Sequence, residues 1–186
     1  MVANEPQPGD FFLAPMGGRA GGLIALAQFL NGDGFKLYQH AGIYLGYNET
    51  TRLNETMEAM PGGAIVGNLE YYTKAGASIV WSSGLVELTP SQRLDIMHYA
   101  RSYQGIPYSF VDYLSILLAR FKMRPMWLQQ YIGTAKHMIC SQLVDRAYLR
   151  AGVHLFDDGR ISGDVTPADL GNLLEKIELY NMNMGL

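Results

Sequence analysis

The sequence predicts an α+β fold in which an antiparallel sheet packs against helices, on three observations. The first half carries short alternating runs separated by turn residues, as strands of a meander do. The second half carries helix caps and apolar residues at helical spacing. No internal repeat or linker divides the two, and strands followed by helices are the α+β order. With 186 residues, 48% apolar and 17% charged, the chain can bury a core without disulfides or metal, so residues 1–186 are expected to form one domain.

Taken in order, Pro8-Gly9-Asp10 introduces a short strand at Phe11 to Ala14. A glycine cluster, residues 17–22, precedes a helical run from Leu23 to Leu30 closed by Asn31-Gly32-Asp33-Gly34. The cluster lacks both the Gly-Lys-Ser/Thr ending and the GxGxxG pattern, so it is not read as a phosphate loop. His40 to Tyr47 alternates: Ala41, Ile43, Leu45 and Tyr47 take one face, His40, Gly42, Tyr44 and Gly46 the other. Glycines on the histidine face would let another backbone approach it closely. Further strands are expected at Arg52 to Ala59, Ala64 to Asn68, Ser78 to Ser82 and Leu85 to Leu88.

Thr89-Pro90-Ser91-Gln92 is a capping box with proline at the first helical position. Leu94, Ile96, Met97, Ala100 and Tyr103 supply its apolar stripe, and Gly105 ends the helix. A long apolar segment, Phe110 to Ile132, is broken at Pro125. A clear helix runs from about Cys140 to Ala151, with Leu143, Val144, Ala147 and Ala151 inside and Gln142, Asp145, Arg146 and Arg150 outside. Thr166-Pro167-Ala168-Asp169-Leu170 opens a short terminal helix.

A net charge of −3 gives no electrostatic reason to expect nucleic acid as a partner. The single cysteine excludes an internal disulfide. The N-terminus lacks the basic start and apolar run of a signal peptide, and no uncharged apolar run approaches the ~20 residues that span a bilayer. A cytoplasmic protein with no transmembrane segment is therefore expected. The sequons at Asn48 and Asn54 are read as turn and strand residues.

A thiol becomes a good nucleophile near neutral pH when its pKa is lowered and a base lies beside it. Cys140 begins a helix, where free N–H groups and the dipole favour a thiolate and can hold an oxyanion. The competing reading is an inert buried cysteine. Of the four histidines, His98 lies within a helix and His154 follows one; His137 is near Cys140 only along the chain. His40 opens a glycine-bearing strand on a face that could receive the cysteine helix. Glu58 is the candidate to orient the imidazole, with Glu55, on the opposite face of the same strand, its rival.

These pieces resemble a known superfamily. Gly9-Asp10-Phe11-Phe12 and then His40-Ala41-Gly42-Ile43-Tyr44-Leu45-Gly46 resemble the signature of NlpC-type papain-like cell-wall peptidases, in which the cysteine precedes the histidine. Here Cys140-Ser141-Gln142-Leu143-Val144 comes about a hundred residues after the histidine, which is similar to the permuted papain-like amidases and lecithin:retinol acyltransferase relatives. Glu58-Ala59-Met60-Pro61-Gly62-Gly63 resembles the segment that carries their polar third residue. Gly105-Ile106-Pro107-Tyr108 resembles the element before their cysteine, and Thr166-Pro167 the end of their fold.

The resemblance implies a circularly permuted papain-like (NlpC-type) fold and an amide hydrolase acting on a peptide or peptidoglycan fragment. Cys140 is the expected nucleophile, His40 the base, and Glu58 the orienting carboxylate. Tyr108, Ser141 and Tyr44 are the expected substrate or oxyanion contacts. No metal or organic cofactor is expected, since one cysteine and scattered histidines make no ligand set. Two rivals stand beside this. The apolar Phe110 to Ile132 segment, with Arg120, Lys122 and Arg124, fits a lipid-directed acyltransferase or esterase with peripheral membrane contact. A non-catalytic binding or structural protein that keeps the fold is the other.

Overall fold

The computed structural model describes residues 5–16, 38–60, 62–108 and 138–185. The glycine cluster, the Leu23 to Leu30 helix, His137 and the Phe110 to Ile132 segment lie outside them. Strands β1 (Phe11–Ala14), β2 (His40–Asn48), β3 (Leu53–Met60), β4 (Gly63–Asn68) and β5 (Val80–Trp81) form an antiparallel sheet in the order β4-β3-β2-β1-β5. The helices are α1 (Glu70–Lys74), α2 (Pro90–Ser102), α3 (Cys140–Arg150) and α4 (Pro167–Met184), with a 3-10 turn at Ser162–Asp164. The architecture is α+β.

The alternation of β1 and β2 sorts residues between two layers. Phe11, Leu13, Ala41, Ile43, Leu45 and Met57 face the helices and form one core with Ile96, Ala100, Leu143, Val144, Ala147, Tyr148 and Leu170. Phe12 and Ala14 face the other way, against Tyr72 and Trp81. β1 is thus buried on both faces, as its unbroken Phe-Phe-Leu-Ala run requires.

Pairing ties the two glutamates to their positions. Gly42 opposes Glu58 and Tyr44 opposes Thr56, but Gly46, not Leu45, opposes Glu55. Leu45 is the extra residue of a bulge, and Gly46 absorbs it with φ of 97°. The bulge reverses the alternation after Leu45, so Tyr47 leaves the core face expected for it and is exposed. Gly42 also differs from expectation: it gives room to side chains, not to a second backbone. A Cβ there would stand 2.6 Å from the Phe12 ring and 3.0 Å from the Glu58 stem.

Several edges differ from the sequence reading. The expected strand at Leu85 to Leu88 is a turn, because Gly84 takes φ of 73° and Leu85 and Val86 both donate to the Ser82 carbonyl. Their apolar side chains still pack on the core. Leu94 is exposed, while Ile96, Ala100 and Tyr103 carry the buried face of α2. In α3, Gln142 and Asp145 are buried, not outside. α4 has the expected cap, with Thr166 Oγ1 accepting from Asp169 N, but runs 18 residues. Only its first half is buried; its second half carries exposed Leu179, Tyr180, Met182 and Met184, so no apolar stripe announces it.

Candidate active site

β2 and β3 set the centre of the site. His40 begins β2, and Glu58 sits near the end of β3 on the same sheet face as Gly42. His40 Nε2 lies 2.7 Å from Glu58 Oε2, and both residues are buried. Nδ1 is also buried and has no hydrogen-bond partner among the described residues. The Cys140 thiol sits close enough to the same imidazole to raise its pKa. The sequence reading placed His40 on the face receiving the cysteine helix. The body of α3 instead packs on the Ala41, Ile43 and Leu45 face, while His40 shares the opposite face with Phe12 and Tyr72. The thiol therefore meets the ring at the strand's start, beside the helix N-terminus.

Cys140 is the first residue of α3 and fully buried. Its helix start is fixed by polar contacts: Gln142 Oε1 accepts from Ile139 N at 3.3 Å, and Gln142 Nε2 donates to Gly163 O at 3.1 Å. Met138 forms an isolated parallel bridge with Tyr108, and Ile139 packs against Tyr108 and Met16. The element before the cysteine helix is therefore stitched to the Gly105 to Tyr108 turn.

Electrostatics follows from this packing. Burial alone would lower the His40 pKa, but hydrogen bonds to Cys140 and Glu58, with the charges on both, outweigh it and push it up to about 10. Burial likewise opposes a charge on Glu58. The His40 hydrogen bond and charge, with hydrogen bonds from Thr56 and Tyr72, nevertheless hold it below the ordinary carboxylate value. Thr56 Oγ1 donates to Oε1, and the Tyr72 hydroxyl donates to Oε2, the oxygen that His40 also engages. The arrangement supports an imidazolium paired with the Glu58 carboxylate.

The remaining sequence candidates divide. Ser141 Oγ donates to the Val165 carbonyl at 2.6 Å and is buried, so its hydroxyl anchors the helix and only its N–H remains at the helix start. Tyr44 shares the His40 face, but its hydroxyl donates to Asn54 Oδ1 at 2.8 Å. Glu55, the rival carboxylate, accepts from Asn48, Thr51 and Arg101, away from the imidazole. His98 and His154 are exposed. Sequence reasoning missed Tyr72, Thr56 and Gly67. Thr56 was readable as the same-face neighbour two positions from Glu58; nothing in Tyr71-Tyr72 marks which ring turns inward.

Among the described residues no group of three or more His, Cys, Asp and Glu side chains is placed to hold a metal ion. No described helix is long and apolar enough to cross a membrane.

No protein-family model and no curated protein matches the chain. Among solved structures it is similar to the metalloprotein yiiX (DUF1105) of Escherichia coli O157:H7. The TM-score is 0.56 and the identity 20%, over 92% of this chain and 82% of that one. At that identity the likeness speaks to the fold alone.

Proposed function

We propose that the chain is a cysteine hydrolase of permuted papain-like form that cleaves an amide bond in a peptide or peptidoglycan-type substrate. The observation that carries this is the buried thiol at a helix N-terminus beside an imidazole that a buried carboxylate holds by Nε2. The chain order of histidine, glutamate and then cysteine, and the motif resemblance, support the permuted reading and an amide substrate.

Cys140 attacks the carbonyl as thiolate, and the oxyanion is met by first-turn N–H groups of α3. The His40 imidazolium then protonates the leaving amine, leaving an acyl-enzyme. Neutral His40 takes a proton from water, which attacks the acyl carbon; the carboxylic acid leaves and the Cys140–His40 pair is restored. Glu58 exchanges no proton; it orients the ring and stabilises its charged form.

The test is the rate of iodoacetamide alkylation of Cys140 against pH in wild type and His40→Ala. A small reagent is needed because Cys140 is fully buried. A thiolate titrating well below the unperturbed ~8.5, and moved by the mutation, is expected. A slow thiol of ordinary titration, indifferent to His40, would overturn the assignment and leave a scaffold used for binding.

A further inference from the structure

We infer that Tyr72 is a positioning residue of this same site, holding Glu58 as the anion through its hydroxyl and the His40 ring through stacking. The inference rests on the cysteine-hydrolase reading and names a residue that reading does not require. The Tyr72 hydroxyl donates to Glu58 Oε2, and its ring stacks on His40 at 6.1 Å between centroids and 19° between planes. Phe12 closes the third side, edge-on to both rings at 6.4 and 5.4 Å. Tyr72 itself is buried, 5% exposed.

The whole of α1 serves this placement. The helix has five residues, too few to be stable alone, and it is tethered to β3 by three hydrogen bonds of Asn54, the longest from its N to Glu70 Oε1 at 3.4 Å. Asn54 Nδ2 donates to Glu70 Oε1 at 2.8 Å, and the Asn54 carbonyl accepts from Leu69 N at 2.9 Å. Tyr72 is the one residue of α1 that is buried. Gly67, on the strand beside β3, leaves the room the carboxylate needs: a Cβ there would lie 2.5 Å from Glu58 Oε1.

Chemically, a buried carboxylate whose one donor is the imidazolium competes with the ring for that proton. With the tyrosine and threonine donors added, the carboxylate stays charged and His40 keeps the proton that the leaving group needs. Burial and the neighbouring Glu58 charge push the Tyr72 phenol well above its ordinary value, so it remains a donor.

The experiment follows Cys140 alkylation against pH in wild type, Tyr72→Phe and Tyr71→Phe. Phenylalanine keeps the ring stack and deletes only the donor. The acid limb of the Tyr72→Phe profile is expected to move up by about one pH unit, the size of one hydrogen bond to a charged group. Tyr71→Phe, which removes an exposed hydroxyl from the same helix, is expected to leave the limb in place. Incorporation of 3-fluorotyrosine at position 72, a stronger donor of nearly the same size, is expected to move the limb down. Acid limbs that superpose in wild type and the position-72 variants would overturn the inference while leaving the Cys140–His40 pair intact. A wild-type thiol with no lowered titration would instead fail the functional reading itself.

Discussion

His40 and Glu58 form a buried ion pair, Nε2 to Oε2 at 2.7 Å, across two adjacent antiparallel strands. Its consequences for stability have a definite sign. His40 is raised from 6.5 to about 10, so its contribution is complete below about 6.5 and is lost as pH rises through about 10. Glu58 is lowered, so its contribution is present above about 4.5 and is lost as pH falls through its folded value. Glu58→Gln removes the charge that holds the imidazolium, and the burial that opposes it then prevails. The variant is expected to lose about 3 kcal/mol near pH 6, toward the low end for a broken buried pair because His40 can discharge. Urea melts at pH 5 to 10 check this: the alkaline decline of wild type should flatten in the variant.

Gly67→Ala tests whether the carboxylate position, and not just its charge, matters. The added Cβ would fall 2.5 Å from Glu58 Oε1 and 2.8 Å from Thr56 Oγ1, so one of them must move. Strand backbone suits alanine, and overpacking of this kind costs about 1–3 kcal/mol. Alkylation of Cys140 is expected to slow about tenfold, the equivalent of about 1.4 kcal/mol. Unchanged alkylation beside a lowered melting temperature would show that the imidazole tolerates a displaced Glu58.

What was legible beforehand follows from where the signal lies. β1 to β4, α2 and the start of α3 were readable because alternation, a capping box and a glycine stop are local patterns with one physical meaning each. Two kinds of feature were not. The Leu45 bulge shifts pairing by one residue and reverses Tyr47 without any change in composition. α1 and the second half of α4 lack a buried stripe, so periodicity is silent there. The site shows the same division. Cys140, His40 and Glu58 are residue types that chemistry singles out, and the structure brings them together. Tyr72 enters through a five-residue helix whose docking depends on contacts far away in sequence, and Ser141 was placed by type while its hydroxyl is taken by Val165.

Ser141→Ala separates anchoring from catalysis at the residue after the proposed nucleophile. The Oγ to Val165 carbonyl bond is 2.6 Å and buried, so its loss is expected to cost about 1–2 kcal/mol in a denaturant melt. The backbone N–H at position 141 is unaffected by the change. Alkylation and amide hydrolysis by the folded variant should therefore match wild type. A large drop in turnover with an unchanged alkylation profile would place the hydroxyl on the transition state instead.

Asp10→Asn addresses the aspartate of the Gly-Asp pair that contributed to the family resemblance. Asp10 is fully buried and its carboxylate accepts from Gln7 N at 2.8 Å, Ser83 Oγ at 2.7 Å and Arg93 Nη1 at 2.8 Å. It binds the turn before β1, the turn after β5 and α2 into one corner. β1 pairs with β2 so that Ala14 opposes His40, which puts Asp10 four residues, about 13 Å, farther along the strand. The motif's aspartate is thus a scaffold residue at the end of the sheet remote from the imidazole. Asparagine keeps one acceptor but leaves the Arg93 guanidinium, mostly buried, without its counter-charge. A loss of about 3 kcal/mol in stability is expected, with the pH profile of Cys140 alkylation unchanged below the melting transition. A shifted profile in a folded Asp10→Asn protein would mean that the corner sets the register of β1 against β2, and through it the position of His40.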